Sequence, residues 1–340
     1  MNARKSLTKQ FIKRAPETLL LFSIILAFFE FILLFIAAKN EDVLFIDGGI
    51  GLLNNYGVFA SLVGDALLLY LIKKYYEEIR CFFIDLKLSS RSFIDKELES
   101  LSNIIKLKTR HKHVLFLFAF IGIAANVSNS MFHILGLSET HWHAPVFDSI
   151  DHVSCFILNR INALFSWAII LPFCLYVTIF TTIYLIRMID YLVKNSAVEY
   201  DLLNPDRCGG FSFVGKANIY YNFAAAIVYL QITLHIITFN AVNIEHILSY
   251  SFITLWFLFG NSFFFNQVFS KIKVLRLKAL NKCKDEIYNH DYLSFEIYKY
   301  YQSSFASRPY TKEAMYIINF IKAVAVALPF AIKIAKQVIT

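Results

Sequence analysis

Charge is scarce in this chain. Asp, Glu, Lys and Arg together make 17% of its 340 residues, against roughly 25% in a typical soluble domain. That deficit excludes an ordinary cytosolic enzyme and a disordered tail. Cysteine is also sparse: five residues (Cys81, Cys155, Cys174, Cys208 and Cys283), odd in number and scattered. No CxxC pair occurs, so neither a disulfide framework nor a zinc ribbon is indicated, and the cysteines read as free thiols. Patterns that carry catalysis are missing too. There is no HExxH, GxSxG, GxxxxGK[ST] or GxGxxG after a strand, and no Cys/His or paired-carboxylate arrangement stands out. No catalytic residue, no cofactor and no enzymatic activity are therefore expected. A signal peptide is disfavoured, because the first apolar run is too long and no A-x-A-type site follows it.

What is abundant is hydrocarbon. Hydrophobic residues make 57% of the chain and aromatics 17%, and they fall in blocks near the 20 or so residues a bilayer-crossing helix needs. Six segments qualify: 18–38, 56–72, 114–135, 161–185, 219–239 and 247–269. A seventh, 316–334, is long enough but holds Lys322, Pro329 and Lys333, so it either spans, re-enters or lies in the interface. The expected fold is all-α: a polytopic transmembrane helical bundle with cytoplasmic helical extensions. Its parts are a basic N-terminus with two spans (1–72), a cytoplasmic helical hairpin (73–113), a four-span core (114–269) and a basic aromatic segment with a C-terminal membrane-associated helix (270–340).

Charge asymmetry orients the spans. Segment 1–17 has five Lys/Arg and one Glu, segment 73–113 ten against six acids, and segment 271–313 nine against five. The intervening segments 39–55, 137–159 and 239–248 carry −2, −3 and −1. Positive segments face the cytoplasm, which puts the N-terminus inside and the His-rich loop outside, in an inner (plasma) membrane. Within 73–113, Ser89 and Ser90 mark a break. Phe93, Ile94, Leu98, Leu101, Ile104, Ile105 and Leu107 then form one apolar stripe, whose cover is neighbouring chain or another subunit. A homo-oligomer follows as one expectation.

Polar residues inside the spans are costly and mark faces turned to a bundle interior or a cavity. Asn126, Asn129, Ser130 and His133 share one helix face, as do Gln231, His235 and Thr238. Ser61 and Asp65 stand four apart, Asn159, Arg160 and Asn162 open the fourth span, and Asn261, Ser262 and Asn266 lie in the sixth. Glu30 sits in the first. These faces either line a wet pathway or bond to one another in a dry bundle. A pairing of Glu30 or Asp65 with Arg160 is disfavoured by depth. The outer loop holds His141, His143 and His152 with Asp148 and Asp151, a weak set of metal candidates that reads first as a polar mouth anchored by Trp142.

On the inside, Lys271, Lys273, Arg276 and Lys278 interleave with aromatics further along 271–313. Such a segment suits anionic headgroups or the phosphates and bases of a nucleotide. The loop 201–216 is densest in turn chemistry: three of the eleven glycines and one of the six prolines fall within 205–215. Its amides, with Arg207 and Lys216, suit an anion nest; its simpler reading is a rigid elbow between two membrane helices. The stretch Asn204-Pro-Asp-Arg-Cys-Gly-Gly-Phe-Ser-Phe213 resembles the H-P-D-x-x-G-G-L-G-F loop of a little-characterised set of bacterial multi-pass membrane proteins. Asn204 replaces the usual His, and Phe211-Ser212 replace Leu-Gly. The match covers about ten residues and implies a shared fold rather than an activity. The chain is also similar to Hailong-type membrane channel effectors of anti-phage defence. That similarity implies a channel held shut by an oligonucleotide, and a partner enzyme that makes it. The functional expectation is an oligomeric channel gated from the cytoplasm by an anionic ligand. The alternatives are a secondary transporter or permease subunit, and a non-conducting sensor or scaffold.

Overall fold

The computed structural model of the chain describes residues 2–87, 112–135, 145–194, 210–238, 254–287 and 312–339, with isolated positions 99, 103 and 251. Among the described residues the fold is all-helical. In chain order come α1 (Asn2–Asn40), a short 3-10 turn (Leu52–Asn54), α2 (Tyr56–Lys87), α3 (Lys112–Ile134), α4 (Val153–Phe165), α5 (Leu171–Lys194), α6 (Ser212–Thr238), α7 (Asn261–Ile287) and α8 (Lys312–Ile339). Two π turns interrupt the helices, Ser166–Ile170 between α4 and α5 and Trp256–Gly260 before α7. Most of the hairpin stripe of 93–107, the loop 195–209, the outer residues 136–144 and the segment 288–311 lie outside the described residues, as does most of the sixth predicted span before Thr254.

Four described stretches are long and apolar enough to cross a bilayer: Leu21–Asn40, Tyr56–Phe83, Val153–Lys194 and Met315–Ile332. Lys112–Ser128 is apolar but shorter. The C-terminal helix, ambiguous in the sequence, is thus among the membrane-crossing candidates. Its Lys322 does not stand alone in the apolar run: the ammonium donates to the Leu258 carbonyl, 2.8 Å away, inside the second π turn. Helix α8 otherwise packs on α6 through Ile321 and Ala325 against Ala226 and Tyr229.

The first π turn has a covalent cause. Pro172 lies two residues beyond it, and a helical proline lacks an N–H and crowds the carbonyl four residues back, here that of Ala168. Widening the turn over Ser166–Ile170 relieves the crowding while the helix runs on. Helix α3 rests on that turn at Gly122, whose missing side chain is required there. An added Cβ would fall inside the van der Waals envelope of the Trp167 carbonyl.

The helices pack in two contrasting zones. Leu68, Leu71, Ile72, Tyr75, Ile79 and Phe83 recur along one face of α2. They meet Tyr176, Val177, Leu185 and Ile189 of α5, Val214 and Ala217 of α6, and Phe265, Val268 and Ile272 of α7 in the main dry core. Within it the Tyr75 and Thr182 hydroxyls bond at 2.5 Å. The start of α6 is pinned the same way: Gly210 takes φ +88°, Phe211 is buried, and Phe213 stacks on Phe82 with ring centres 3.7 Å apart. A smaller core joins α1, α2 and α4 through Leu34, Ala38, Leu62 and Cys155. Outward, the chain is greasy: Phe22 is 65% exposed, Phe28 63% and Phe320 69%. Faces of that kind suit lipid tails and are rare on soluble monomers.

Glu41, just past α1, ties these elements together. Its carboxylate accepts the backbone N–H groups of Ser154 (2.7 Å) and Cys155 (3.2 Å) at the first turn of α4, where free amides and the helix dipole favour an anion. Partial burial pulls the Glu41 carboxyl upward, but those hydrogen bonds outweigh it and hold the group below its ordinary value.

Two outcomes follow. Gly122→Ala forces α3 off the π turn and lowers stability by about 1–3 kcal/mol, read as thermal unfolding of the detergent-solubilised protein. Because the Glu41 carboxyl sits lower in the fold than in the unfolded chain, its contribution is full above the usual carboxylate range and fades as pH falls through its folded value. Glu41→Gln is therefore less stable than wild type at neutral pH, and the two unfolding curves converge on acidification.

Candidate functional site

At the end of the bundle away from the main core, the polar faces of four helices close around a cavity of about 280 Å³. Helix α2 supplies Gly57, Val58 and Ser61, preceded by Asn55; α3 supplies Ala125 and Asn126; α4 supplies Asn159, Arg160, Asn162 and Ala163, followed by Trp167; α6 supplies Gln231 and His235; and Asp148 enters from the segment before α4.

Close packing of α2 on α6 sets this arrangement. A Cβ at Gly57 would come within 2.7 Å of the His235 ring, and one at Gly64 within 2.6 Å of the Gln231 amide. Two glycines seven apart lie on one helix face, and small residues let membrane helices approach closely. The α2 N–H of Gly57 then reaches the Thr238 hydroxyl at 3.2 Å. Asn55 caps α2 by accepting the Val58 N–H at 3.1 Å.

An ion pair guards one wall. Arg160 and Asp148 are joined through a guanidinium N–H and one carboxylate oxygen, and the same oxygen accepts the Asn159 amide at 2.6 Å. The Arg160 side chain is 12% exposed and that of Asp148 5%. Phe156 covers the guanidinium, its ring centre 5.6 Å from the guanidinium carbon. The Nε and Nη1 of Arg160 are buried without a hydrogen-bond partner among the described residues. Such donors are expensive to leave unmade. Behind the opposite wall, Gln231 donates to Asp65 at 2.8 Å.

The sequence-selected polar residues divide into three groups. Asn126, Gln231 and His235 line the cavity, and Asp65 is bonded to its wall. Ser130 and Thr238 donate within their own helices, the Ser130 hydroxyl to the Asn126 carbonyl and that of Thr238 to the Leu234 carbonyl, each at 2.8 Å, while the Thr238 oxygen also accepts the Gly57 N–H of α2. Asn266 is exposed on α7 and Glu30 half-buried on α1, both away from the lining. The side chains of Asn129, His133 and Asn261 lie outside the described residues, as do Arg207, His141 and His143. His152 immediately precedes α4, and no cluster of three metal-binding side chains occurs among the described residues.

Far from the cavity, among the basic residues of α7, Lys271 bonds Asp190 at 2.6 Å, and Lys194 reaches the other oxygen of that carboxylate at 2.7 Å. Lys271 therefore locks α7 to α5. Lys273, Lys278 and Lys216 are exposed, and Arg276 is half-buried. The reading of residues missed Asp148 as the partner of Arg160 and overlooked Asn55, Ser166 and Trp167. The pair is twelve positions apart across a turn, so helical periodicity carries no trace of it; Pro172 is the signal that marked the π turn. Comparison with known family models, curated proteins and solved structures finds no match.

The buried pair has a definite mutational signature. Arg160→Gln or Asp148→Asn alone strands one charge and costs about 3–5 kcal/mol, whereas the double neutral variant costs less than the sum. A double-mutant cycle on chemical unfolding measures the coupling.

Proposed function

We propose that the chain is a multi-pass membrane protein that assembles into an oligomeric channel, with the polar cavity forming part of its ion pathway. Six spans, a cytoplasmic N-terminus and an inner-membrane location belong to the same reading and rest on the charge asymmetry of the loops. The observation that carries it is the convergence of polar side chains from α2, α3, α4 and α6 on one cavity, while the apolar faces of α1, α3 and α8 point outward. A purely structural polar network has little use for an opening of that volume, since dry interhelical bonds average about 0.6 kcal/mol each.

Control from the cytoplasmic side falls to the exposed basic residues. With Lys271 held by Asp190, the described surface open to an anionic ligand is Lys273 and Lys278 on α7, with Lys216 at the start of α6; Arg207, a further candidate by sequence, lies outside the described residues. The resemblance of residues 204–213 and the likeness to anti-phage channel effectors extend this reading. The ligand is then a nucleotide or oligonucleotide made by a partner enzyme, and opening depolarises the membrane. A second reading, a secondary transporter, is favoured by one feature: two π turns interrupt helices, one beside the cavity. Irregular backbone within membrane helices is typical of transporter binding sites.

Purified protein in planar bilayers is expected to pass current. Lys273→Gln with Lys278→Gln is expected to weaken oligonucleotide binding and shift gating, without the loss of stability that Lys271→Gln brings. Silence at all voltages together with ion-coupled solute uptake contradicts the channel and supports the transporter. Unchanged oligonucleotide binding removes the ligand reading.

A further inference from the structure

Asp65 lies within the apolar stretch Tyr56–Phe83, and only 8% of it is exposed. Its carboxylate is held by two neutral donors, the Gln231 amide at 2.8 Å and the Ser166 hydroxyl. No Lys or Arg pairs with it among the described residues. The ionisable groups around it give no relief. Glu30 on α1 adds like charge and Cys174 on α5 is a thiol. His235 on α6 is one turn beyond Gln231, and Arg160 on α4 is committed to Asp148. A bare carboxylate in an apolar interior is far too costly to persist uncompensated.

Position makes the compensation informative. Gln231 both lines the cavity and holds Asp65, so a single amide separates the carboxylate from the cavity. Ser166 opens the π turn, a feature that gathers at functional sites. Oxygen atoms gather at the spot: the Asp65 carboxylate, the Ser166 hydroxyl and the backbone carbonyl of Ser61, which lies 3.5 Å from the Gln231 amide nitrogen; a half-turn of that amide about its last side-chain bond presents its carbonyl oxygen as well. Hard cations prefer such all-oxygen sets. We propose that Asp65, Gln231 and Ser166 form a monovalent-cation site behind the cavity wall, where a proton or an alkali-metal ion neutralises the Asp65 carboxylate. The inference deepens the pathway reading and rests on it only for the route by which the cation arrives.

The test uses the full chain in detergent. Melting temperature is followed in NaCl, KCl and N-methylglucamine chloride at constant ionic strength, and across pH in the last. Infrared difference spectra against Asp65→Asn report a protonated carboxyl. An alkali-metal site gives a saturable rise of about 3 °C or more in wild type, absent in Asp65→Asn. A proton site gives no difference among the salts, but a pH-dependent melting temperature and a protonated-carboxyl band, both lost in Asp65→Asn. Wild type with neither response overturns the proposal. Should Asp65→Asn not fold, Gly64→Ala keeps the charge and displaces Gln231. It must shift the cation or pH midpoint several-fold, and an unchanged midpoint also overturns the site. Cation binding without current removes the channel and keeps the site. Current with none of these Asp65-dependent responses does the reverse.

Discussion

The structure depends on how a hydrocarbon-soluble bundle disposes of its polar side chains. In lipid each unmet donor or acceptor is expensive, so such groups must meet one another, meet water, or be absent. Here all three solutions occur in separate places. Lipid-facing sides of α1, α3 and α8 carry almost none. The main core around Tyr75 and Tyr176 holds few, and joins some of them by short bonds such as that between Tyr75 of α2 and Thr182 of α5. The remainder are gathered at the other end around one cavity, held there because Gly57 and Gly64 let α6 lie hard against α2.

That division explains why α4 and α5 are one 42-residue helical run, Val153–Lys194, broken by a π turn. The upper part must present Asn159, Arg160 and Asn162 to the cavity, while the lower part must present Tyr176, Leu185 and Ile189 to the core. The widened turn at Ser166 changes the helical phase between the two tasks, and Pro172 enforces the change. Gly122 of α3 and Asp65 of α2 both meet the chain at this turn. A device that resets one helix thereby also positions a packing contact and a buried carboxylate.

Much of the class was legible in the residues. All-helical character and membrane-length apolar runs follow from composition and block length alone. The seventh stretch was ambiguous because Lys322 breaks its apolar run; its partner is a backbone carbonyl sixty-four residues away, which no local pattern displays. Asn126, Gln231 and His235 were found by helical spacing because the cavity selects whole faces. Ser130 and Thr238 share those faces but donate their hydroxyl protons within their own helices, a choice that spacing does not encode. The Arg160–Asp148 pair was hidden because the chain reverses between its members. Lys271 was grouped with its basic neighbours, although Asp190 on another helix had already claimed it.

The central claim is that the cavity is wet. Its most direct test is thiol accessibility in a cysteine-free background, with single cysteines at Ser61, Asn126 and Ala163 on the lining and at Val63, on the outer face of α2, as control. A small hydrophilic methanethiosulfonate is predicted to modify the three lining positions and to spare Val63. Uniform protection of the lining positions would show a dry polar network and contradict the account.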